Sequence, residues 1–226
     1  MSGPIPPSDL HARLAPLVPR VSASALRDCL AQVHDHPAAV VDLVTPTPDR
    51  VLFGIAATMR FLPHRADLFT ERAHDFAHQY YRAVGEHPGG RVLVMSSGGM
   101  PDAALAGGKK MSRAAFQGVA GVLADGRLRD LHELAELGLA IHCNGEAVVP
   151  ANGVLTPVDA GCAVQVRGVT VVPGDVVYAD RSGAVVIPAA LAEGVMRAAA
   201  DLEEADRRVV ERSRDAAADR ARAMGT

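Results

Sequence analysis

Residues 118–134 read Gly-Val-Ala-Gly-Val-Leu-Ala-Asp-Gly-Arg-Leu-Arg-Asp-Leu-His-Glu-Leu. Val119 to Ala124 has the length and the apolar, partly β-branched composition of a buried strand, and Asp125-Gly126 stops it. Leu131 to Leu137 spaces its apolar residues as a short helix, closed by Gly138. A strand followed at once by a helix predicts an α/β fold. The polar turn between them, Arg127 to Asp130, then lies at a strand's carboxyl end, where open α/β sheets gather ligands.

The same alternation extends in both directions. Upstream, Ser22 or Ser24 caps a short helix with Leu26, Cys29, Leu30 and Val33 on one face. Val40–Val44 and Val51–Leu62 read as strands, Thr70–Val84 as a helix capped by Thr70 and ended by Gly85, and Arg91–Met95 as a buried strand. A glycine turn at Gly107-Gly108 opens a helix running to about Gln117. Downstream, Leu139–Cys143 is a further strand. Val148–Pro188 alternates apolar residues between turns at Arg167-Gly168, Pro173-Gly174-Asp175 and Asp180–Gly183, which predicts successive short strands. From about Ala189 a long helix follows, with Leu191, Val195, Ala198, Leu202, Ala205 and Val209 forming a narrow seam. Residues 1–20 carry five prolines and read as an irregular arm, 21–212 as one domain, and 213–226 as a fraying tail.

At 226 residues, 49% hydrophobic and 22% charged, the chain can bury one generous core. A net charge of -3, no Trp and only 4% aromatics argue against a nucleic-acid module, which needs a basic field or stacking platforms. Cys29, Cys143 and Cys162 form neither a CxxC pair nor a disulfide framework, and read as buried thiols of a reducing compartment. The proline-rich start lacks a signal peptide's apolar core, and no segment approaches a membrane span. The expectation is a cytoplasmic protein with no membrane partner.

Two turns can carry chemistry. Gly107 and Gly108 before a helix let backbone N–H groups converge, the helix dipole adds positive potential, and Lys109 and Lys110 add whole charges. The loop is no Walker A motif, since Ala103 stands where that pattern needs glycine. In the second turn Arg129 can clamp a carboxylate and Asp130 can hold a hard divalent cation, or merely cap the following helix. His132 and Glu133 flank that turn; His74 and His78, four apart, read as a surface pair rather than a zinc site.

Gly118–Leu134, Gly168–Asp180 and Ser182–Pro188, in this order and spacing, resemble the family of regulator of ribonuclease activity A and 4-hydroxy-4-methyl-2-oxoglutarate aldolase, over roughly residues 20 to 210. The resemblance implies a swivelling β/β/α-type single domain with a C-terminal helix, assembled as a homotrimer or hexamer with sites between subunits. It implies a Mg²⁺ or Mn²⁺ ion on Asp130, a 2-oxo acid carboxylate on Arg129, and backbone amides of Lys109 and Lys110 cradling the same group. It also implies a second carboxylate from a neighbour's terminal helix, Asp206 or alternatively Glu204. The family's acidic residue twenty-one positions before the arginine is Gly108 here, and another acidic position is Ser96-Ser97.

The expected activity is therefore a class II-type lyase, cleaving a 4-hydroxy-2-oxo acid or decarboxylating oxaloacetate. The alternative is a non-catalytic trimeric regulator. A Schiff-base lysine at Lys109 or Lys110 ranks behind both, because it requires a depressed pKa that the sequence does not supply.

Overall fold

A computed structural model describes residues 7–70 and 73–223. Its centre is an eight-stranded mixed sheet. The strands of this sheet are β1 (Ala39–Val40), β2 (Leu52–Pro63), β3 (Arg91–Ser96), β5 (Gly121–Ala124), β7 (Ala140–His142), β8 (Leu155–Ala160), β11 (Val176–Asp180) and β12 (Gly183–Ile187). Their order is β1-β12-β11-β2-β3-β5-β7, with β8 also pairing the far end of β2. The β2-β3-β5-β7 half is parallel and the rest antiparallel. Two small sheets join it: β9 (Val164–Val166) with β10 (Val169–Val171), and β4 (Ala104–Ala106) with β6 (Arg127–Leu128).

The two-residue period of β2 divides the core. Leu52 and Ala56 face a cluster that includes Val166, Val169 and Val171 of the β9–β10 hairpin. Phe53 and Ile55 face instead α1 (Pro7–Leu14), a 3₁₀ helix (Ala15–Arg20), α2 (Ala23–Ala31) and α6 (Ala192–Ala223). Further along that same face, Ala57, Met59 and Phe61 pack on α3 (Phe76–Val84), α4 (Gly108–Phe116) and α5 (Leu131–Glu136). Hairpin, sheet and helices make the layered α/β single domain with a C-terminal helix that was expected. No helix among the described residues is long and apolar enough to cross a membrane.

Several local readings change. The start of the chain is not irregular: Pro7–Leu14 and Ala15–Arg20 are helical, and Leu10, Leu14 and Leu17 are buried; residues 1–6 lie outside the described ones. Ser22 caps α2 by accepting from Ala25 N–H at 3.2 Å, but Val33 is exposed beyond its end. The first strand shrinks to two residues because Asp42 takes positive φ at 59° and turns the chain. The predicted Thr70–Val84 helix begins only at Phe76, where Asp75 accepts from Ala77 and His78 N–H; residues 71 and 72 lie outside the described ones. His74 therefore precedes the helix rather than pairing with His78 on it.

In α6 the packed stripe is Ala192, Val195, Met196, Ala199 and Ala200, and Ala198, Ala205 and Val209 of the predicted seam are exposed. The helix also does not fray at 213 but runs to Ala223, with 224–226 outside the described residues.

His142 is buried in β7, and its Nε2 has no partner among the described residues. Burial lowers its pKa from the ordinary 6.5, against the pull of Asp180. The unfolded chain then binds more protons than the folded one as pH falls through about 6.5, so this group costs stability on acidification. Denaturant midpoints measured for wild type and His142→Leu from about pH 7.5 to 5 are expected to diverge, the variant gaining on wild type as pH falls.

Candidate functional site

Two strands too short to notice in the sequence build the site. Ala104–Ala106 and Arg127–Leu128 pair in parallel, and Arg129 N–H donates to Ala106 C=O at 2.9 Å. Parallel neighbours end on the same side. The chain leaves β4 into Gly107-Gly108 and leaves β6 into Arg129-Asp130, so the two turns meet. On the outer edge of β4, Ala104 N–H donates to Val149 C=O and Ala151 N–H to Ala104 C=O, which brings Pro150, Ala151 and Asn152 alongside. Between these segments lies a cleft of about 290 Å³, lined by Gly107, Gly108, Lys109, Lys110, Arg129 and Asp130 among others.

Asp130 is left-handed, with φ 62° and ψ 38°, a conformation that Asp and Asn adopt more readily than other residues with a side chain. It precedes α5 but does not cap it. Glu146 does so, its Oε1 accepting from Leu131 N–H at 3.0 Å. The Asp130 carboxylate turns the other way and accepts from Gly108 N–H at 3.0 Å, across the start of α4. Lys110 N–H bends back to Gly107 C=O at 3.0 Å. Of the two lysine amides expected to cradle an anion, only that of Lys109 has no protein acceptor among the described residues.

Gly107 sits at φ -150°, an ordinary extended backbone. What requires glycine there is space: a Cβ would lie 2.9 Å from Asp130 Oδ2 and 3.1 Å from Arg129 Cβ. At Gly108 a Cβ would lie 3.1 Å from Glu133 Oε2 and 3.6 Å from Asp130 Oδ2. The Glu133 carboxylate thus stands where a side chain at 108 would project. It sits on the first turn of α5, three residues past the αL kink at Asp130 that aims that turn.

The two glycines should respond oppositely to alanine. Gly107→Ala must push the Asp130 carboxylate off Gly108 N–H and is expected to cost ~1.5–3 kcal/mol, the worth of a charge-assisted hydrogen bond. Gly108→Ala need only rotate the exposed end of Glu133, and is expected to gain ~0.4–1 kcal/mol through reduced unfolded-state entropy. Denaturant midpoints of the two variants check both signs.

The charges in the cleft are uneven. Arg127, the first arginine of the turn, is committed to Asp102 at 3.1 Å and to Glu146 C=O. The Arg129 guanidinium and the Lys109 ammonium are exposed, with no ion pair among the described residues. Lys110 is half-buried, its ammonium 4.4 Å from the centre of the Phe76 ring. Burial lowers its pKa, opposed by Asp75. His132 points away, exposed beside Glu136. Ser97 N–H donates to the buried Asp125, whose pKa burial raises, so this pair closes the ends of β3 and β5 rather than the cleft.

The family described as RraA-like: Aldolase/RraA matches residues 23–186. The chain belongs to this family. A protein of Albidiferax ferrireducens named "Putative 4-hydroxy-4-methyl-2-oxoglutarate aldolase" is 42% identical over 96 residues, 42% of this chain and 55% of that one. A protein of the same name from Burkholderia mallei is 40% identical over 116 residues, 49% of this chain and 67% of that one. The chain thus spans little more than half to two thirds of these RraA-like relatives.

Among solved structures, Streptomyces coelicolor RraAS2, described as an unusual member of the RNase ES inhibitor RraA protein family, superposes with TM-score 0.77 at 28% identity. The match covers 88% of this chain and 98% of that one. A Pseudomonas syringae protein shares the fold at TM-score 0.76 and 23% identity, over 93% and 92% of the two chains.

Among the described residues no three His, Cys, Asp or Glu side chains converge as a metal cage. Asp130 and Glu133 nevertheless flank one point with oxygen donors. That set suits Mg²⁺ or Mn²⁺, which take one or two carboxylates and keep waters, and not a closed zinc site. Asp206 lines no part of the cleft. It lies on the exposed outer part of α6, and Glu204 is paired with Arg207 and Arg208.

Proposed function

We propose that this chain is a divalent-metal-dependent carbon–carbon lyase acting on a small 2-oxo acid. The observation that carries it is the β4–β6 pairing, which sets the unpaired Arg129, the free Lys109 N–H and the Asp130 carboxylate around one cleft. Arg129 and Lys109 N–H bind the substrate carboxylate, with the α4 dipole behind them. Asp130 holds Mg²⁺ or Mn²⁺, which when bound polarises the 2-oxo group.

With the carboxylate anchored, the C3–C4 bond of a 4-hydroxy-2-oxo acid lies deeper in the cleft. Loss of the 4-hydroxyl proton lets that bond break toward C3, releasing an oxo compound and, after protonation at C3, pyruvate. In oxaloacetate the same electron flow expels CO₂. Glu133, placed where the family's acidic side chain at 108 is missing, takes the proton through a water.

The chain acts as a homotrimer or hexamer, in which Asp206 or Glu204 of one copy reaches the cleft of another. Support comes from α6, whose residues 205–220 are all exposed.

Pyruvate release from oxaloacetate and from 4-hydroxy-4-methyl-2-oxoglutarate, above the enzyme-free rate, tests the reading. Activity should appear with Mg²⁺ or Mn²⁺ and vanish with EDTA. Borohydride with pyruvate should leave the chain mass unchanged; a reduced adduct on Lys110 would replace the metal route by an imine. The likeness to RraAS2 favours a second reading, a regulator without turnover, and absence of pyruvate release with either metal would select it.

A further inference from the structure

The anion cleft adjoins a larger one of about 660 Å³, the two sharing Lys110, Ala151 and Asn152 as their common wall. The chain has only five phenylalanines, and three of them, Phe61, Phe69 and Phe76, line this second cleft. Imidazoles complete the ring-lined surface. His74 lies 5.2 Å from Phe69 and His64 6.3 Å from it, ring centre to ring centre. Both histidines are held in place: His64 Nδ1 is 2.8 Å from Thr156 Oγ1, and His74 Nδ1 accepts from Thr70 N–H at 3.0 Å.

Among the described residues the charges nearly cancel: Lys110 is the one lysine or arginine on the cleft, already placed over the Phe76 ring, and Asp75 the one carboxylate. A second anionic group on a ligand would meet Asp75 as well as Lys110, whereas a flat apolar group would meet the partly exposed Phe69 and His74 rings and the exposed His64 imidazole, with Phe61 and Phe76 buried behind them.

We propose that this cleft receives an aromatic tail, so that the substrate is a 2-oxo acid carrying an aryl group beyond the carbon–carbon bond to be cleaved. This rests on the carboxylate of that acid sitting at Arg129 and Lys109, as in the function proposed above. Lys110 stands at the junction of head and tail, where its ammonium lies between the oxo-acid end and the aromatic end. The tail site favours aryl substrates while dicarboxylic ones still bind and turn over, and Phe69 and His74 are specificity residues.

Calorimetric binding of pyruvate, 2-oxoglutarate and phenylpyruvate, in saturating Mg²⁺, tests it. Phenylpyruvate should bind at least tenfold tighter than either of the others. Phe69→Ala and, separately, His74→Ala should collapse that ratio toward one, each with an unchanged circular-dichroism melt. Equal binding of the three acids, a preference for 2-oxoglutarate, or an aryl preference that survives both substitutions would overturn the tail site. Failure of the head assignment looks different: phenylpyruvate affinity would then be lost in Phe69→Ala but indifferent to Arg129→Ala.

Discussion

Asp130→Asn is expected to lower kcat/KM for pyruvate release by at least ~10³-fold, about 4 kcal/mol of transition-state stabilisation, while the fold survives. Asparagine is the informative choice because it keeps the size and shape of the side chain and one acceptor oxygen while removing the charge. It tolerates the αL conformation at φ 62°, which alanine does not. Its amide oxygen can still accept from Gly108 N–H, the bond that ties the two turns together at 3.0 Å. A loss of activity with an unchanged melting temperature therefore reports on the carboxylate charge, the property a divalent cation requires.

Asp130→Ala would mix that effect with a strained backbone and an unpaired Gly108 N–H. Steady-state rates with a Mg²⁺ titration measure the prediction, and the variant should also need a far higher Mg²⁺ concentration. Full activity in Asp130→Asn would remove this carboxylate from the chemistry and leave the cleft as an anion-binding site alone.

The residues that form this site are legible in the sequence, but their reason for meeting is not. Val119–Ala124 announces a buried strand by composition, and the structure places Gly121–Ala124 in the sheet. Nothing comparable announces Ala104–Ala106 or Arg127–Leu128. They are three and two residues long, and a two-residue strand has no period to read. Their pairing depends on backbone partners on both edges, Val149 to Ala151 on one side and Gly145 to Ala147 on the other, which no local pattern encodes.

Charge partners are equally non-local. Asp130 looks like a helix cap by position, and it is Glu146, fifteen residues beyond Leu131, that leaves it free to bind Gly108 instead. Glu133 flanks the Arg129-Asp130 turn in the sequence, where a supporting role and solvent exposure are equally open, and only the three-dimensional approach of α5 to Gly108 gives it a place in the cleft. The misplaced start of α3 has a simpler cause. Thr70 and Asp75 are both competent caps, and tertiary contacts around Phe76 decide between them.

Gly121→Ala is the substitution expected to damage the fold most directly. A Cβ built on Gly121 would lie 2.0 Å from Ala140 C=O and 2.5 Å from Leu52 Cδ1. Leucine can rotate, but the carbonyl belongs to β7, paired in register with Gly121, and it cannot move without opening the β5–β7 ladder. Ala140 N–H, bonded to Ala120 C=O, would be dragged with it, leaving buried polar groups without partners.

Overpacking against a side chain costs ~1–3 kcal/mol, and here the obstacle is backbone, so a loss of at least ~3 kcal/mol is expected. For a chain of this size that lowers the melting temperature by roughly 6–12 °C. The damage would also reach the cleft, because β5 leads through Asp125-Gly126 into β6 and hence sets Arg129 and Asp130. Thermal melts of Gly121→Ala beside Gly108→Ala provide the contrast. Both remove a glycine, but at position 108 the one tight approach of the Cβ is to the flexible end of Glu133, so the two melting temperatures should move in opposite directions. A Gly121→Ala protein that melts with wild type would mean that β7 is free to shift, and that the parallel edge of the sheet does not fix the turn at the site.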